Sequence, residues 1–153
     1  MFLKDITLGI DFGNTIVYND YNGNKIAYLK SVEVITEAVK RCKEVYIISK
    51  VNEFQRLKVL HWLKENDFHE KTGISPNNVF FCGAYDQKGL IAHKLGINCF
   101  IDDKPEVMAH MNRTVYKILF CPNPKEVRQF DLKHLQDVYS WDNVSQLLFE
   151  GNI

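Results

Sequence analysis

Short apolar runs that do not alternate with polar residues recur along the chain, at Leu8–Ile10, Val45–Ile48, Val79–Cys82, Asn98–Ile101 and Val115–Cys121, with helical patterns filling most of the intervals. A strand that is apolar on both sides has to be covered on both faces. In proteins that need is met by parallel sheets whose crossover helices pack above and below. The pattern therefore predicts an α/β fold: a three-layer Rossmann-like parallel sheet with helices on both faces. Right-handed crossovers then bring the carboxyl ends of the strands to one edge, where ligands of such sheets bind. The chain of 153 residues has no repeat, low-complexity tract or compositional break, so residues 1–153 read as a single domain.

Local signals place the connections. Ile16–Tyr18 and Lys25–Leu29 flank an Asn22-Gly23 pair, which predicts a hairpin over about residues 16–30, a flap above the end of the first strand. Ser31 is expected to cap a helix carrying Val32, Ile35 and Val39 to about Cys42. Asn52 and Gln55 resemble a capping box, with Phe54, Leu57, Leu60 and Leu63 as the apolar stripe of a helix ending near Asn66. Residues 67–78 are expected to form a loop. A further helix is expected from Lys88 to Leu95, stopped by Gly96, and another begins at Pro105 with Glu106 in its first turn. The tail offers helices around Leu132, Leu135 and Val138 and around Val144, Leu147 and Leu148.

Placed on this frame, Asp11, Ser49, Gly83 and the pair Asp102-Asp103 fall at one edge, and Lys88 opens the helix just beyond it. An acid able to attack or hold a metal, a hydroxyl, a cation and a second acidic pair are the groups phosphoryl transfer needs. They are far apart in sequence yet share one structural depth.

In this order the residues resemble the motifs of the haloacid-dehalogenase superfamily of phosphohydrolases. The first motif, an apolar strand followed by Asp-x-Asp-x-Thr, reads Asp11-Phe12-Gly13-Asn14-Thr15. The second, a strand ending in Ser or Thr, reads Val45 to Ser49; the third is Lys88, with Lys94 as a second candidate; the fourth is Phe100-Ile101-Asp102-Asp103. The resemblance implies a capless member in which Asp11 is the nucleophile and forms an aspartyl phosphate. Ser49 and Lys88 would contact the phosphoryl group, as would the loop Gly13, Asn14 and Thr15. Mg²⁺ would be held by Asp11, the carbonyl of Gly13, Asp102 and Asp103, the last directly or through water. The chain departs from the family at Gly13, where phosphatases usually carry the acid that protonates the leaving group. That departure implies a slow or degenerate Mg-dependent phosphatase, or one whose leaving group needs little help, with Asp20 in the hairpin as a substitute acid.

Two other readings compete. Asp11-Phe12-Gly13-Asn14-Thr15 also resembles the phosphate loop of the actin and sugar-kinase fold, which implies a nucleotide-binding fragment. A non-catalytic domain with a vestigial acidic pocket is the other. Formal charge is zero and basic residues are scattered, so nothing points to nucleic acid. The N-terminus does not read as a signal peptide and no apolar run spans a membrane, which predicts a cytoplasmic protein. Cys42, Cys82, Cys99 and Cys121 lack Cys-x-x-Cys spacing, and the five histidines share no ligand spacing, so neither zinc nor a disulfide framework is expected. Trp62 and Trp141 read as core or rim aromatics. No insertion is long enough for a large cap, which leaves the phosphorylated partner open between a small molecule and a macromolecule. It also makes a homo-oligomer, with a neighbour covering the site, one way to close it.

Overall fold

Leu8 and Ile10 point to one side of the first strand and Gly9 to the other, and this asymmetry fixes how the centre of the molecule packs. A Cβ on Gly9 would lie 2.5 Å from the Phe100 ring, so only glycine lets that ring close over the strand. The structure, a computed structural model, describes residues 1–151 and 153. Its main sheet has six parallel strands, β1 (Thr7–Ile10), β4 (Glu44–Lys50), β5 (Val79–Cys82), β6 (Cys99–Asp102), β7 (Tyr116–Phe120) and β8 (Leu135–Val138), in the order β5-β4-β1-β6-β7-β8. The expected hairpin forms its own small sheet from β2 (Val17–Asn19) and β3 (Lys25–Ala27).

Each central strand feeds two cores. Leu8, Ile10, Val45, Ile47, Cys99, Ile101, Ile118 and Phe120 meet α1 (Ser31–Arg41), α2 (Glu53–Glu65), α3 (Phe68–Thr72) and α7 (Trp141–Ser145) on one face. Ile48, Phe100 and Leu119 meet α4 (Tyr85–Lys94) and α5 (Pro105–Ala109) on the other. The three-layer expectation is met, and no large cap stands over the strand ends. A short α6 (Pro124–Val127) follows β7.

Several local expectations are corrected. Ser31 is the first residue inside α1, not its cap; Lys30 takes the cap position with φ 71°, and the Ser31 hydroxyl is buried without a partner. Residues 67–78 are not all loop, because Phe68 buries itself against Trp62 and carries the short α3 with it. The capping box at Asn52 and Gln55 is present and Leu63 is buried as expected, but Phe54, Leu57 and Leu60 are exposed, and Val59 and Trp62 complete the buried face of α2. A strict three-residue repeat drifts around a 3.6-residue helix, so the stripe cannot stay on one face. α4 starts at Tyr85, one turn before the expected Lys88, and turns Lys88, Gly89 and Ala92 inward. Leu135–Val138 is a strand, not a helix, since the open edge of β7 offers it a full parallel ladder. The last helix is present as α7, continued by a wider π-helical turn over Gln146–Glu150.

Lys117, inside the buried β7, donates to the carbonyls of Asn112 (3.3 Å), Val115 (2.8 Å) and Lys133 (2.9 Å), which satisfies an ammonium that would otherwise be costly to bury.

Candidate active site

The carboxyl end of β1 does not stop at the sheet. The Asp11 amide donates to the Ile101 carbonyl at 2.9 Å, so Asp11 is still held in the plane between β4 and β6. Beyond it the backbone wraps around the Phe12 carbonyl, which accepts from the amides of Thr15, Ile16 and Val17. Asn14 takes the left-handed conformation (φ 58°) that this wrap demands, one that Asn tolerates better than most residues. Trp141 of α7 donates its indole N–H to the Thr15 carbonyl at 2.8 Å and ties the loop to the far end of the chain.

The side chains converge on Asp11. Its Oδ2 accepts from the Thr15 hydroxyl at 3.1 Å and its Oδ1 from Lys88 Nζ at 2.7 Å. The same Nζ donates to Asp102 Oδ2 at 2.7 Å, while Asp102 Oδ1 accepts the amide of Lys104 at 3.0 Å. Lys88 is almost fully buried. Burial alone would lower its pKa, but the two carboxylates outweigh that and hold it protonated well above the ordinary lysine value. Asp103 is raised as well, which for a carboxyl favours the neutral form: partial burial and the nearby charges of Asp11 and Asp102 push it up to about 9. Asp102 is raised too, by complete burial and by Asp11, with Lys88 opposing.

Asp11, Asp102 and Asp103 each offer an oxygen within 4.8 Å of the others. Three carboxylates with one ammonium between them are short of positive charge, which the raised value at Asp103 expresses. An all-oxygen donor set of this charge suits a hard divalent cation such as Mg²⁺. These residues border a cavity of about 240 Å³ that Gly13, Asn14, Ser49 and Lys88 also line.

Of the residues singled out in the sequence, Asp11, Gly13, Asn14, Ser49, Lys88, Asp102 and Asp103 therefore meet at one cavity. Thr15 does not reach it: fully buried, its hydroxyl is spent on Asp11, so it orients the acid rather than lining the cleft. Lys94 lies exposed in the last turn of α4, away from the cavity, which leaves Lys88 as the lysine beside Asp11. Asp20 is occupied as a turn former, its Oδ1 accepting the amides of Asn22 and Asn24, and it does not line the cavity. Sequence reasoning missed Lys25, Lys50, Gln55, Tyr85 and Lys104 on the cavity wall. Lys50 and Lys104 could have been found by reading one residue past Ser49 and Asp103; Lys25 and Tyr85 left no such signal.

The all-parallel six-stranded sheet, covered on both faces and carrying an acid at the end of its central strand, is a small Rossmann-like α/β fold. Solved structures agree. The magnesium, phosphate and KDO complex of 3-deoxy-D-manno-octulosonate 8-phosphate phosphatase from Moraxella catarrhalis is similar with a TM-score of 0.60 at 13% identity, over 97% of this chain and 87% of that one. The D,D-heptose 1,7-bisphosphate phosphatase of Burkholderia thailandensis is similar with a TM-score of 0.57 at 12% identity, over 92% and 96%. A haloacid dehalogenase-like hydrolase of Burkholderia xenovorans is similar with a TM-score of 0.59 at 13% identity, over 78% and 58%. At these identities the likeness is one of fold. No protein-family model matches the chain. No curated protein matches it either.

Proposed function

We propose that the chain is a metal-dependent phosphohydrolase that uses Asp11 as its nucleophile. One observation carries the reading: Asp11 is fixed from both sides, by the Thr15 hydroxyl and by the Lys88 ammonium that also grips Asp102, at the edge of an open cavity. A carboxylate oriented so firmly and paired with an ammonium is a prepared nucleophile. The solved phosphatases of this fold, one of them holding magnesium and phosphate, support the same reading.

In the first step an oxygen of Asp11 forms a bond to phosphorus while the bond from phosphorus to the leaving oxygen breaks, giving an aspartyl phosphate. Ser49 donates to a phosphoryl oxygen, and Lys88 offsets the charge that collects there. Asp11, Asp102 and Asp103, with the Gly13 carbonyl, would hold Mg²⁺, whose contribution is to neutralise the phosphoryl oxygens. In the second step water forms a bond to phosphorus and gives up its proton to solvent, the bond from phosphorus to the Asp11 oxygen breaks, and the carboxylate is restored as inorganic phosphate leaves. Gly13 supplies no proton in either step, so the leaving oxygen has to depart with little help, and esters with acidic leaving groups are the natural substrates. The six-stranded parallel frame argues against the actin-type reading, and the phosphorylated sugars named for the similar phosphatases favour a small molecule over a macromolecule.

The test is a leaving-group series of aryl and alkyl phosphates with Asp11→Asn as the blank. Turnover that falls steeply as the leaving group becomes more basic is the expected result. A wild-type rate equal to the blank on every ester, with no binding of beryllium fluoride in the presence of Mg²⁺, would replace catalysis by the binding-domain reading.

A further inference from the structure

The cavity wall holds more positive charge than the phosphoryl chemistry uses. Of its ionisable groups, Asp11, Asp102 and Asp103 are acidic, and Lys25, Lys50, Lys88 and Lys104 are basic. Lys88 is committed to Asp11 and Asp102. Lys25, Lys50 and Lys104 make no ion pair among the described residues. With a divalent cation on the carboxylates, the wall would carry an excess of three positive charges. A phosphate monoester dianion takes up two.

The remaining charge is not spread evenly. Lys50 leaves the end of β4 directly after Ser49, and its ammonium sits 4.5 Å from the centroid of the Tyr85 ring. Lys104 leaves the end of β6 directly after Asp103 and lines the same cavity as Lys50 and Tyr85. β4 and β6 are the two neighbours of β1, so these lysines follow the strands on either side of Asp11, and Tyr85 lines the cavity with them. A lysine that rests on an aromatic ring has less side-chain freedom to lose when an anion arrives.

We propose that Lys50 and Lys104, with the Tyr85 hydroxyl, form a subsite for a second anionic group, so that the preferred ligand is a compact phosphate monoester whose organic part bears a carboxylate or another phosphate. This rests on the reading of Asp11 as the phosphoryl site. The cavity, of about 240 Å³, suits a compact ligand. Screening shortens the reach of the two ammoniums to about 10 Å at moderate salt, which also keeps the second anion near the first.

The experiment is calorimetric titration of the full chain, in Mg²⁺ at low salt, with non-hydrolysable probes: phosphonopropionate, its primary amide and propylene bisphosphonate. The carboxylate and the bisphosphonate are expected to bind about tenfold more tightly than the amide, and which of the two leads identifies the second anion. In the double variant Lys50→Met, Lys104→Met the advantage over the amide is expected to vanish. Equal affinity of all three probes for the wild type overturns the proposal, as does an advantage that survives in the double variant or an absence of binding by every probe. The same titrations separate this idea from catalysis: a charge preference without ester turnover keeps the subsite and removes the phosphohydrolase.

Discussion

Lys88 is the residue on which the site's stability and its chemistry both depend. Taking away its ammonium leaves Asp11 and Asp102 buried opposite each other with no counter-charge, and breaking a buried ion pair from one side costs about 3–5 kcal/mol. Lys88→Met is therefore expected to lower stability to urea by about that amount without Mg²⁺, and by clearly less when Mg²⁺ is saturating. A lysine whose folded pKa is raised stabilises the fold at all lower pH, so this contribution is present through neutrality and lost only in strong alkali as pH rises through the folded value. Gly13 makes the complementary prediction. A Cβ there meets nothing within 4 Å, and its φ is outside the left-handed region, so an acid can be introduced without strain. Gly13→Asp should raise turnover of alkyl phosphates, towards the ~10²–10⁴-fold typical of a positioned general acid, and flatten the leaving-group dependence. Unchanged alkyl turnover in that variant would mean that the leaving oxygen is not beside residue 13.

At the scale of elements, α4 delivers Lys88 because it lies unusually close to the end of α5. A Cβ on Gly89 would stand 2.3 Å from the His110 carbonyl oxygen, backbone that has nowhere to go. Gly89→Ala should cost about 1–3 kcal/mol in thermal or urea unfolding, the usual range for overpacking. It should also tighten Mg²⁺ binding, since α4 has to lift and draws the Lys88 ammonium away from Asp11 and Asp102. The flap is tethered differently. Trp62 of α2 donates its indole N–H to the Lys25 carbonyl at 3.2 Å, so Trp62→Phe removes the bond while keeping most of the packing. Faster amide exchange confined to residues 17–27 is the expected readout; unchanged exchange there would show that the hairpin is held by its own ladder.

The whole molecule responds to pH through the acidic cluster. Asp102 and Asp103 have folded pKa values above the ordinary carboxylate range, so the fold favours their protonated forms. A raised folded value contributes stability that is complete below the unfolded pKa and is lost as pH rises through the folded one. Without metal, the melting temperature should fall between about pH 4 and about pH 9, the folded value of Asp103. Saturating Mg²⁺ should flatten or invert that slope, because the cation binds the ionised carboxylates and stabilises the native state by mass action. A metal-free profile that is flat over this interval, or one that Mg²⁺ leaves unchanged, would place the cation elsewhere.

The fold class and the meeting of most of the candidate residues at one cleft were legible in the sequence because both are written locally. Strands apolar on both faces require helices above and below, and the residue that ends each strand falls at a fixed depth in a parallel sheet, so Asp11, Ser49, Asp102 and Asp103 could be gathered from positions far apart in the chain. What the sequence left open needed contacts between elements. Leu135–Val138 became a strand because β7 offered an open edge, α2 turned Val59 and Trp62 inward because Phe12 and Phe68 waited there, and Thr15 withdrew from the cavity because Asp11 took its hydroxyl. The choice of Lys88 over Lys94 and the gathering of Lys25, Lys50 and Lys104 around the cleft were likewise decided by the tertiary structure. Periodicity records which side of an element is apolar and where the element ends, whereas the pairing of one charge with another depends on distances that only the packed sheet and helices set.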